Sequence, residues 1–525
     1  MRQRRGGHVR QRDRPALPPQ SRRRRPADAP GGAQGAGRPI AGPPGHPGTE
    51  HGMSAPVQFG TDGWRAVMAD TFTFENVARV AQAAADYWTA HPPPGTRRGV
   101  VIGYDRRFLS DQFAARTAEV FAGNDFSVVL TPAPTPTPSV SLAVKQLGAA
   151  GGVVITASHN PPHFNGFKLK AHYGGPAMPE LCQAVEGLLD RHPVRRLALA
   201  EAKRRRRVAV RDLRPAHYQA LRRLVDFDWL RRTRLRFAHE ALFGVGAGCF
   251  EPLLAGTRCA VTTLNGAHDP FFGGINPEPV QANYRLSAGW LRRHPHDLCL
   301  VTDGDADRVG AMTGRGGYIS THEVIALLLR HYVKNRGERG RVIKALTTTS
   351  LLDKMCAAYG LTLEEVPVGF KHICGAMVAG GVMLGGEESG GIGFAGHIPE
   401  RDGLAAGLLL LEMLAMEGRP ITRLIAALHR EFGPHHYDRN DLVFPLEQRA
   451  ALMARLAAAP PGRLLRSPVV RVETYDGVKF TAADSSWLML RGSGTEPVLR
   501  VYAEAASPAK VAALLRLGRR LAGQG

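Results

Sequence analysis

Short runs of β-branched and apolar residues alternate with amphipathic segments along much of this 525-residue chain. Residues 99–104, 127–130 and 152–156 have the composition of strands, and residues 110–122 have the periodicity of a helix. The run at 298–302 repeats the pattern later in the chain. Such alternation is typical of α/β domains. We therefore predict several α/β units in series.

A further unit and a different C-terminal end follow. Residues 342–347 are strand-like, and Ser350 is placed to cap a helix that runs to Tyr359. Beyond them the chain changes to short strands at 469–473, 487–490 and 499–503, and a final helix from Pro508. This end predicts a separate α+β domain.

The formal net charge of +22 raises the possibility of nucleic-acid binding, which would weaken steeply with salt. Residues 1–52 hold eleven arginines against three acidic residues and so contribute +8, and residues 203–207 form a second basic run. Neither patch has interleaved aromatic residues, so nucleic-acid binding is the less favoured alternative. The Arg, Pro and Gly-rich tail at 1–52 is expected to be disordered, with Met53 as the natural initiator.

Cysteine usage and hydropathy bear on the compartment. The six cysteines form no C-x-x-C pair, which favours a reducing environment over a disulfide framework or a zinc site. The N-terminus lacks the apolar core of a secretory signal. The longest apolar stretch, 404–415, contains Glu412 and is shorter than the ~20 residues that cross a bilayer. We expect a cytoplasmic protein without a transmembrane segment.

The strongest chemical motif is the D-G-D-A-D-R run at 303–308, directly after a strand-like run. Three carboxylates at alternate positions repel one another unless a cation lies among them, and hard oxygen ligands suit Mg²⁺. A calcium-binding EF-hand loop would need Gly and Glu where this chain has Arg308 and Gly314. The motif therefore predicts a divalent-metal site, with a solvated acidic turn as the alternative.

A second motif, T-A-S-H-N-P-P at 156–162, also follows a strand-like run. Reactive groups are commonly presented at the carboxyl ends of such strands, so Ser158 is the candidate nucleophile, with Lys168 close in sequence. The G-x-S-x-G elbow of hydrolases is excluded because Thr156 and Asn160 stand where its glycines would be. Without its context, Ser158 would be equally compatible with a plain Ser turn.

Four further loops carry polar groups between strand-like or helical segments. The R-G-S-G-T run at 491–495 offers an arginine, hydroxyls and small residues, which suits an anion, although a plain hairpin would look the same. The G-E-E-S run at 386–389 suits sugar hydroxyls or an ordinary acidic loop. Lys371 and His372 begin a predicted helix, and Arg65 lies among glycines just after the tail.

Taken together and in this order, the motifs resemble the α-D-phosphohexomutase superfamily over residues 59 to about 504. This superfamily includes phosphoglucomutases, phosphomannomutases and phosphoglucosamine mutases. The resemblance implies an isomerase-class intramolecular phosphotransferase that moves a phosphoryl group between the two ends of a hexose through a phosphoserine. It implies Mg²⁺ as cofactor and glucose 1,6-bisphosphate as intermediate and activator.

The resemblance also implies a role for individual residues. The metal ligands are Ser158, Asp303, Asp305 and Asp307, with Ser158 as the phosphoserine. The implied catalytic residues are Arg65, His159, Lys168, Arg308 and Lys371, and the general base stays open among Lys168, Lys371 and His159. Glu387 and Ser389 are implied to bind sugar hydroxyls, and Arg491, Ser493, Gly494 and Thr495 the non-reacting phosphate.

Four domains around one cleft are implied by the resemblance: three related α/β domains and a C-terminal α+β domain of the TATA-binding-protein-like kind. After the tail, domain I spans 53–203 with the serine loop, domain II 204–315 with the metal loop, domain III 316–436 with the sugar loop, and domain IV 437–525 with the phosphate loop. We expect domain IV to close over the substrate.

Three positions favour glucose as the sugar: Gly391 where some phosphomannomutase-like members have His, Glu388 where aminosugar members have Gln, and Lys371, which matches glucose-preferring members. We therefore predict interconversion of glucose 1-phosphate and glucose 6-phosphate. Mannose phosphate, or a dual specificity, stays open because loop chemistry does not separate axial from equatorial 2-hydroxyls. The expected partners are small hexose phosphates, and the chain is expected to be a monomer or a weak homo-oligomer.

Overall fold

The fold is that of a computed structural model, which describes residues 57–60, 62–492 and 497–523. In this part of the chain four sheets follow one another, and each is built from consecutive strands. The first three sheets mix parallel and antiparallel pairs with helices between the strands.

The first sheet contains β1 (Trp64–Val67), β2 (Arg97–Tyr104), β3 (Ser127–Leu130), β4 (Ala149–Ile155), β5 (Phe164–Ala171) and β6 (Val208–Val210). Their spatial order is β1-β5-β4-β2-β3-β6, and β5 runs antiparallel to both of its neighbours. Its helices are α1 (Phe74–Ala90), α2 (Ser110–Gly123), α3 (Thr137–Gln146), α4 (Pro179–Glu186) and α5 (Leu199–Arg204). Helix α1 begins where the Thr73 hydroxyl accepts a hydrogen bond from the Asn76 N–H at 3.1 Å.

The second sheet contains β7 (Arg236–Glu240), β8 (Ala260–Leu264), β9 (Leu298–Thr302), β10 (Val309–Thr313) and β11 (Tyr318–Ile319). Their order is β11-β10-β9-β7-β8, with β7 parallel to β8 and β9, and β10 antiparallel to both of its neighbours. The associated helices are α6 (Arg214–Leu224), α7 (Phe227–Arg232), α8 (Phe250–Leu253) and α9 (Arg285–Arg293).

Helix α10 (Thr321–Arg330) opens the third unit with a reciprocal cap between Ser320 and Glu323. Its sheet contains β12 (Arg341–Ala345), β13 (Leu363–Val366), β14 (Val382–Gly386) and β15 (Ile392–Phe394), in the order β13-β12-β14-β15. Helices α11 (Leu351–Tyr359), α12 (Phe370–Ala379), α13 (Gly403–Glu417) and α14 (Ile421–Phe432) complete it. Ser350 does precede α11, but its hydroxyl donates to Glu504 and makes no capping bond.

The fourth sheet is antiparallel throughout its described strands. It contains β16 (His436–Val443), β17 (Arg463–Leu464), β18 (Ser467–Glu473), β19 (Val478–Ala482), β20 (Trp487–Gly492) and β21 (Val498–Ala505), in the order β16-β21-β20-β19-β18-β17. Helices α15 (Arg449–Ala458) and α16 (Pro508–Leu521) accompany it. Three α/β units and an α+β C-terminal unit were predicted, and this prediction is confirmed.

The predicted domain limits stay a prediction, and strand pairing gives a reason to shift two of them. Strand β6 pairs with β3, so residues 208–210 belong with the first sheet although the predicted limit was 203. Strand β11 pairs with β10, so residues 318–319 belong with the second sheet although the predicted limit was 315.

The apolar cores are distributed unevenly among the units. The first and fourth units each have a core of their own, whereas the second and third share one continuous core that includes Leu300, Leu328 and Leu408. Helix α13 lies inside this shared core, and its residues from Gly403 to Ala415 are buried. Among the described residues, no helix combines the length and the apolarity that crossing a bilayer requires.

Candidate active site

Three loops that follow strand ends meet at one cleft of about 630 Å³. Ser158 lies just beyond β4, Asp303 directly after β9, and Glu387 directly after β14. Each loop follows the end of a strand in a different sheet, the edge at which α/β sheets commonly present ligand-binding groups. The cleft is lined by Glu387 together with Arg65, His159, Arg308, Ser389 and Arg491, whereas Ser158 and Asp303 are fully buried next to lining residues.

Ser158 is buried, and its hydroxyl donates a hydrogen bond to Asp303 Oδ2 at 2.8 Å. Its backbone has a φ of 52°, a left-handed conformation that is uncommon for a residue with a side chain. The Ser158 N–H donates to the Thr156 hydroxyl oxygen at 2.8 Å, which holds the loop in this conformation. The serine and the first aspartate of the acidic loop are therefore in direct contact.

Asp303, Asp305 and Asp307 are all buried, and each offers a carboxylate oxygen within 4.8 Å of the other two. Asp305 Oδ1 and Asp307 Oδ1 have no hydrogen-bond partner among the described residues. Burial, followed by repulsion from Asp305 and Asp307, raises the pKa of Asp303 well above its ordinary value. Converging oxygen donors with unsatisfied lone pairs fit a divalent cation that prefers oxygen ligands.

Lys168 is buried among carboxylates, and its Nζ lies 2.8 Å from Asp62 Oδ2, 2.8 Å from Asp305 Oδ2 and 3.1 Å from Asp307 Oδ2. Burial alone would lower the pKa of Lys168, but these carboxylates outweigh it and raise the pKa above its ordinary value. In return, Lys168 overcomes the effect of burial on Asp305 and lowers the pKa of that carboxyl group. Lys168 is thus held as a cation beside the acidic loop.

His159 and Arg65 both line the cleft. His159 Nδ1 has no hydrogen-bond partner among the described residues, and burial with the nearby Arg308 and Arg65 lowers the pKa of the imidazole well below its usual range. Arg65 Nη1 donates to Asn160 Oδ1 at 2.8 Å, which fixes its guanidinium against the serine loop. Arg308 donates its backbone N–H to Asp303 Oδ1 at 3.1 Å, while its Nε has no hydrogen-bond partner among the described residues.

The sugar loop is tied to the metal loop through backbone, because the Val309 N–H donates to the Gly390 carbonyl at 2.9 Å. Burial raises the pKa of Glu387 to about 7, and its Oε2 lies 3.3 Å from Arg401 Nη1. Ser389 Oγ is buried without a hydrogen-bond partner among the described residues. Glu388 also lines the cleft, but its carboxylate accepts a hydrogen bond from the Thr347 hydroxyl at 2.5 Å.

On the side of the fourth sheet, Arg491 Nε donates to Asp476 Oδ1 at 2.8 Å. The other predicted phosphate-binding residues, Ser493, Gly494 and Thr495, lie outside the described residues. Lys371 does not line the main cleft; it borders a neighbouring cavity of about 90 Å³ together with Asp62. The structure therefore brings together most of the predicted site and leaves Lys371 to one side.

Several charged residues of the site were missed by the sequence reasoning. Arg401 is buried, forms an ion pair with Asp307 Oδ2 at 2.8 Å, and also contacts Asp62 and Glu387. Burial alone would lower the pKa of Arg401, but Asp307 and Asp62 outweigh it and raise the pKa further. No local pattern marks Arg401, since its partners come from three distant segments.

Arg107 is the second missed residue, and it supports the serine loop. Its Nη2 donates to the carbonyl oxygens of Ser158 at 2.8 Å and Asn160 at 2.7 Å, and its Nη1 to those of Pro161 at 2.8 Å and Phe164 at 2.9 Å. Its Nε donates to Asp105 Oδ2 at 3.1 Å. Because Asp105 directly follows β2, the strand-end rule that marked Ser158 and Asp303 would also have found this pair.

Comparison with known proteins identifies this arrangement. Models of the phosphoglucomutase/phosphomannomutase family match the chain in order: α/β/α domain I at residues 56–194, domain II at 215–316, domain III at 320–432 and the C-terminal domain at 446–516.

Relatives with different named substrates each match this chain over most of its length. A phosphoglucomutase/phosphomannomutase from Thermococcus kodakarensis is 28% identical over 469 residues, 88% of this chain and 98% of its own length. A phosphoglucosamine mutase from Methylobacterium radiotolerans is 29% identical over 458 residues, 85% and 94% of the two chains. A solved structure from Thermus thermophilus, named as a candidate phosphomannomutase, superposes with a TM-score of 0.78 at 36% identity, covering 90% of this chain and all of that one. The chain belongs to the α-D-phosphohexomutase superfamily, whose members are intramolecular phosphotransferases of the isomerase class.

Proposed function

We propose that this protein is a phosphoglucomutase, which interconverts glucose 1-phosphate and glucose 6-phosphate through a phosphorylated Ser158 and glucose 1,6-bisphosphate. The observation that carries the proposal is the 2.8 Å contact between the buried Ser158 hydroxyl and Asp303, directly next to His159 and Arg308 in a cleft lined by both cations and carboxylates. The cytoplasmic location and the weak or absent self-association stay predictions from the sequence.

Ser158 donates the phosphoryl group in the first half of the reaction and receives it back in the second. The bond from Ser158 Oγ to phosphorus breaks as a sugar hydroxyl oxygen forms its own bond to phosphorus, and then the reverse occurs from the other end of the sugar. Such transfers depend mainly on in-line positioning and on neutralising the charge of the phosphoryl oxygens. Arg308 lines the cleft and supports this role, and Mg²⁺ held by Asp303, Asp305 and Asp307 would add Lewis-acid neutralisation of that charge.

The attacking sugar hydroxyl must lose a proton, and of the three candidates His159 is best placed to accept it. The residue lines the cleft, and burial with the nearby Arg308 and Arg65 lowers the pKa of its imidazole well below its usual range, which favours the neutral form that can accept a proton. Lys168 has its ammonium group engaged by three carboxylates, and Lys371 borders the neighbouring cavity. We therefore assign the general base to His159 and a positioning role to Lys168.

The phosphate that is not reacting needs an anchor that accepts either end of the sugar, because the bisphosphate must turn over between the two transfers. Arg491 supports this role, since it lines the cleft and presents a guanidinium, which can grip two phosphate oxygens at once. Glu387 and Ser389 line the same cleft and offer an acceptor and a hydroxyl to the sugar.

Glucose is favoured as the sugar by the neighbourhood of Gly391. A Cβ at this position would lie 2.7 Å from Arg401 Cδ, so any side chain here would require Arg401 to shift. Glu388 is a weaker indicator than its sequence position suggested, since its carboxylate is already bonded to Thr347. The alternative is a phosphomannomutase or a dual-specificity enzyme, because the relatives of this chain carry all of these names.

A coupled assay with glucose 1-phosphate, mannose 1-phosphate and glucosamine 1-phosphate, each with a trace of the matching bisphosphate, tests the proposal. We expect kcat/KM to be highest for glucose 1-phosphate. Preference for mannose 1-phosphate would favour the alternative, and turnover of none of the three would refute the mutase proposal.

Ser158→Ala is the companion variant, and the matched control is Ser127→Ala, which changes an exposed serine in β3. We expect Ser158→Ala to abolish turnover and to remove the phosphoryl group seen by intact-mass measurement, whereas Ser127→Ala should change neither. Substantial activity in Ser158→Ala would exclude the phosphoserine mechanism.

A further inference from the structure

The carboxylate of Asp476 joins two loops that the sequence treats as unrelated. Asp476 lies in the turn between β18 and β19, and its Oδ1 accepts the Arg491 Nε–H at 2.8 Å. Its Oδ2 accepts the backbone N–H of Val368 at 2.8 Å, 108 residues away in the chain. One carboxylate therefore binds a phosphate-loop side chain and a backbone group of the third unit at the same time.

The Arg491 end of this bridge controls the direction of the guanidinium. Asp476 accepts a hydrogen bond from Nε only. This bond does not use the two terminal amino groups of Arg491, which are the groups that bind two phosphate oxygens. The next residue, Gly477, has a φ of 89°, and a Cβ there would lie 2.6 Å from the Leu490 carbonyl and 3.1 Å from Arg491 Cβ. The turn is thus packed directly against Arg491.

The Val368 end of the bridge reaches the cleft. Val368 lies between β13 and α12, and both Val368 and Gly369 line the same cleft as Arg491. The turn is also held on the third unit by its neighbours, because Tyr475 donates its hydroxyl to Glu365 at 3.0 Å and Lys479 donates to the Leu346 carbonyl at 2.7 Å. Asp476 therefore fixes Arg491 relative to the third unit, which carries the sugar loop.

We propose that Asp476 is a positioning residue that presets Arg491 for the non-reacting phosphate and couples that grip to the cleft-lining loop at Val368. The inference deepens the proposed function and rests on it. The same anchor must hold the bisphosphate in both of its orientations. A guanidinium that is already oriented loses less conformational entropy each time a phosphate binds. Loss of the bridge should therefore weaken phosphate binding more than it slows the transfer at Ser158.

Asp476→Asn tests this geometry with little change of size. The amide has one acceptor oxygen and would direct an N–H₂ group at one of two donors, so one of the two bonds is lost. We expect KM for glucose 1-phosphate to rise roughly tenfold, with kcat changed less, since the reacting groups lie on other loops. Asp476→Ala should have a larger effect on KM if the variant folds.

The matched control is Asp484, an aspartate in the next turn of the same sheet. Asp484 accepts a backbone N–H from Ser486 at 3.0 Å and also contacts a cation, Lys510, but it does not line the cleft. Asp484→Asn should leave KM unchanged. If both variants destabilise the sheet to the same extent, a higher KM in Asp476→Asn alone cannot result from that destabilisation. Equal KM values for Asp476→Asn and Asp484→Asn would overturn the proposal.

A double variant with Arg491→Met distinguishes positioning from a separate contact. If Asp476 acts through Arg491, adding Asp476→Asn to Arg491→Met should raise KM by less than about twofold, whereas additive effects would overturn the proposal. Protection by inorganic phosphate in thermal denaturation provides a readout without turnover, and it should be weaker in Asp476→Asn than in the wild type. An inactive wild type would refute the mutase proposal, while this phosphate readout would still decide the role of Asp476.

Discussion

Arg107 provides the sharpest test of how the serine loop is held. Its buried guanidinium donates to four backbone carbonyls between Ser158 and Phe164 and to the carboxylate of Asp105. Asp105 in turn accepts the Thr156 hydroxyl at 2.6 Å, and Thr156 accepts the Ser158 N–H. The Ser158 carbonyl is bonded to Arg107 directly, and the Ser158 N–H is connected to Arg107 through Thr156 and Asp105. The left-handed conformation of Ser158 therefore depends on Arg107 through both of its backbone groups.

Arg107→Met removes all of the guanidinium's bonds while it keeps most of the aliphatic volume. Taking one partner from a buried ion pair costs about 3–5 kcal/mol, and each carbonyl left without a donor costs about 1 kcal/mol or more. Because the losses share one loop and are not additive, we expect about 4 kcal/mol of destabilisation of the first unit. Arg107→Lys keeps the charge but not the planar fork, so it should lose about half of that value.

Urea unfolding followed by tryptophan fluorescence measures this effect, since Trp64 and Trp88 are both buried in the first unit. The phosphoryl content of Ser158, measured by intact mass, reports on the loop itself. The matched control is Arg106→Met, because Arg106 also donates to backbone carbonyls, those of Gly266 at 2.9 Å and Ala267 at 3.2 Å, but not to the serine loop. If Arg107→Met were no more destabilising than Arg106→Met and kept a phosphorylated Ser158, the reasoning would be refuted.

Three further predictions concern pH, stability and metal. Since burial raises the pKa of Glu387 from 4.5 to about 7, the folded state binds this proton more tightly than the unfolded state does. The free energy of unfolding should then fall by up to about 3 kcal/mol as pH rises through this window, and urea titrations of Glu387→Gln should lack that slope. Asp402→Ala removes the cap of α13 and the carboxylate that His217 contacts at 2.6 Å and His397 at 2.9 Å. The free energy of unfolding, measured in urea, should therefore fall by about 3–5 kcal/mol. A decrease below about 1 kcal/mol would contradict this reasoning. EDTA should abolish turnover and Mg²⁺ restore it, and Asp305→Asn should raise the Mg²⁺ concentration needed in the assay at least about tenfold; unchanged activity in EDTA would exclude the metal site.

Secondary structure was predictable where the local pattern and the burial agree. The predicted strands at 127–130 and 298–302 coincide with β3 and β9, and the final helix begins at Pro508 as expected. The limit at 203 is the instructive case. The resemblance implied this limit, yet the chain continues from α5 through the basic run into β6, whose place is set by pairing with β3 rather than by its own sequence.

The site was predictable to the extent that its residues follow strand ends. Ser158 and Asp303 were found in this way, and Asp105 with Arg107 would have been found by the same rule, but adjacent charged residues in a loop are usually solvated. Arg401 was beyond reach, because its role depends on ion pairs with Asp62, 339 residues away, and with Asp307. Tertiary structure alone brings these charges together, and a buried arginine without that context would be destabilising.

The four units are joined by contacts of different physical kinds, and this difference bears on how the cleft can change. The second and third units share one apolar core and are linked by backbone bonds such as that from Val309 to Gly390, so separating them would expose a large apolar surface. The fourth unit has its own core and meets the third through a small apolar cluster around Leu346 and Trp487 and through side-chain bonds such as those of Asp476. Side-chain bonds of this kind can break and re-form as units move, so they hold Arg491 against the third unit only while the two units are in contact. Movement of the fourth unit against the third is therefore expected to cost less than separation of the second unit from the third, and Arg491, the proposed phosphate anchor, lies on the fourth unit.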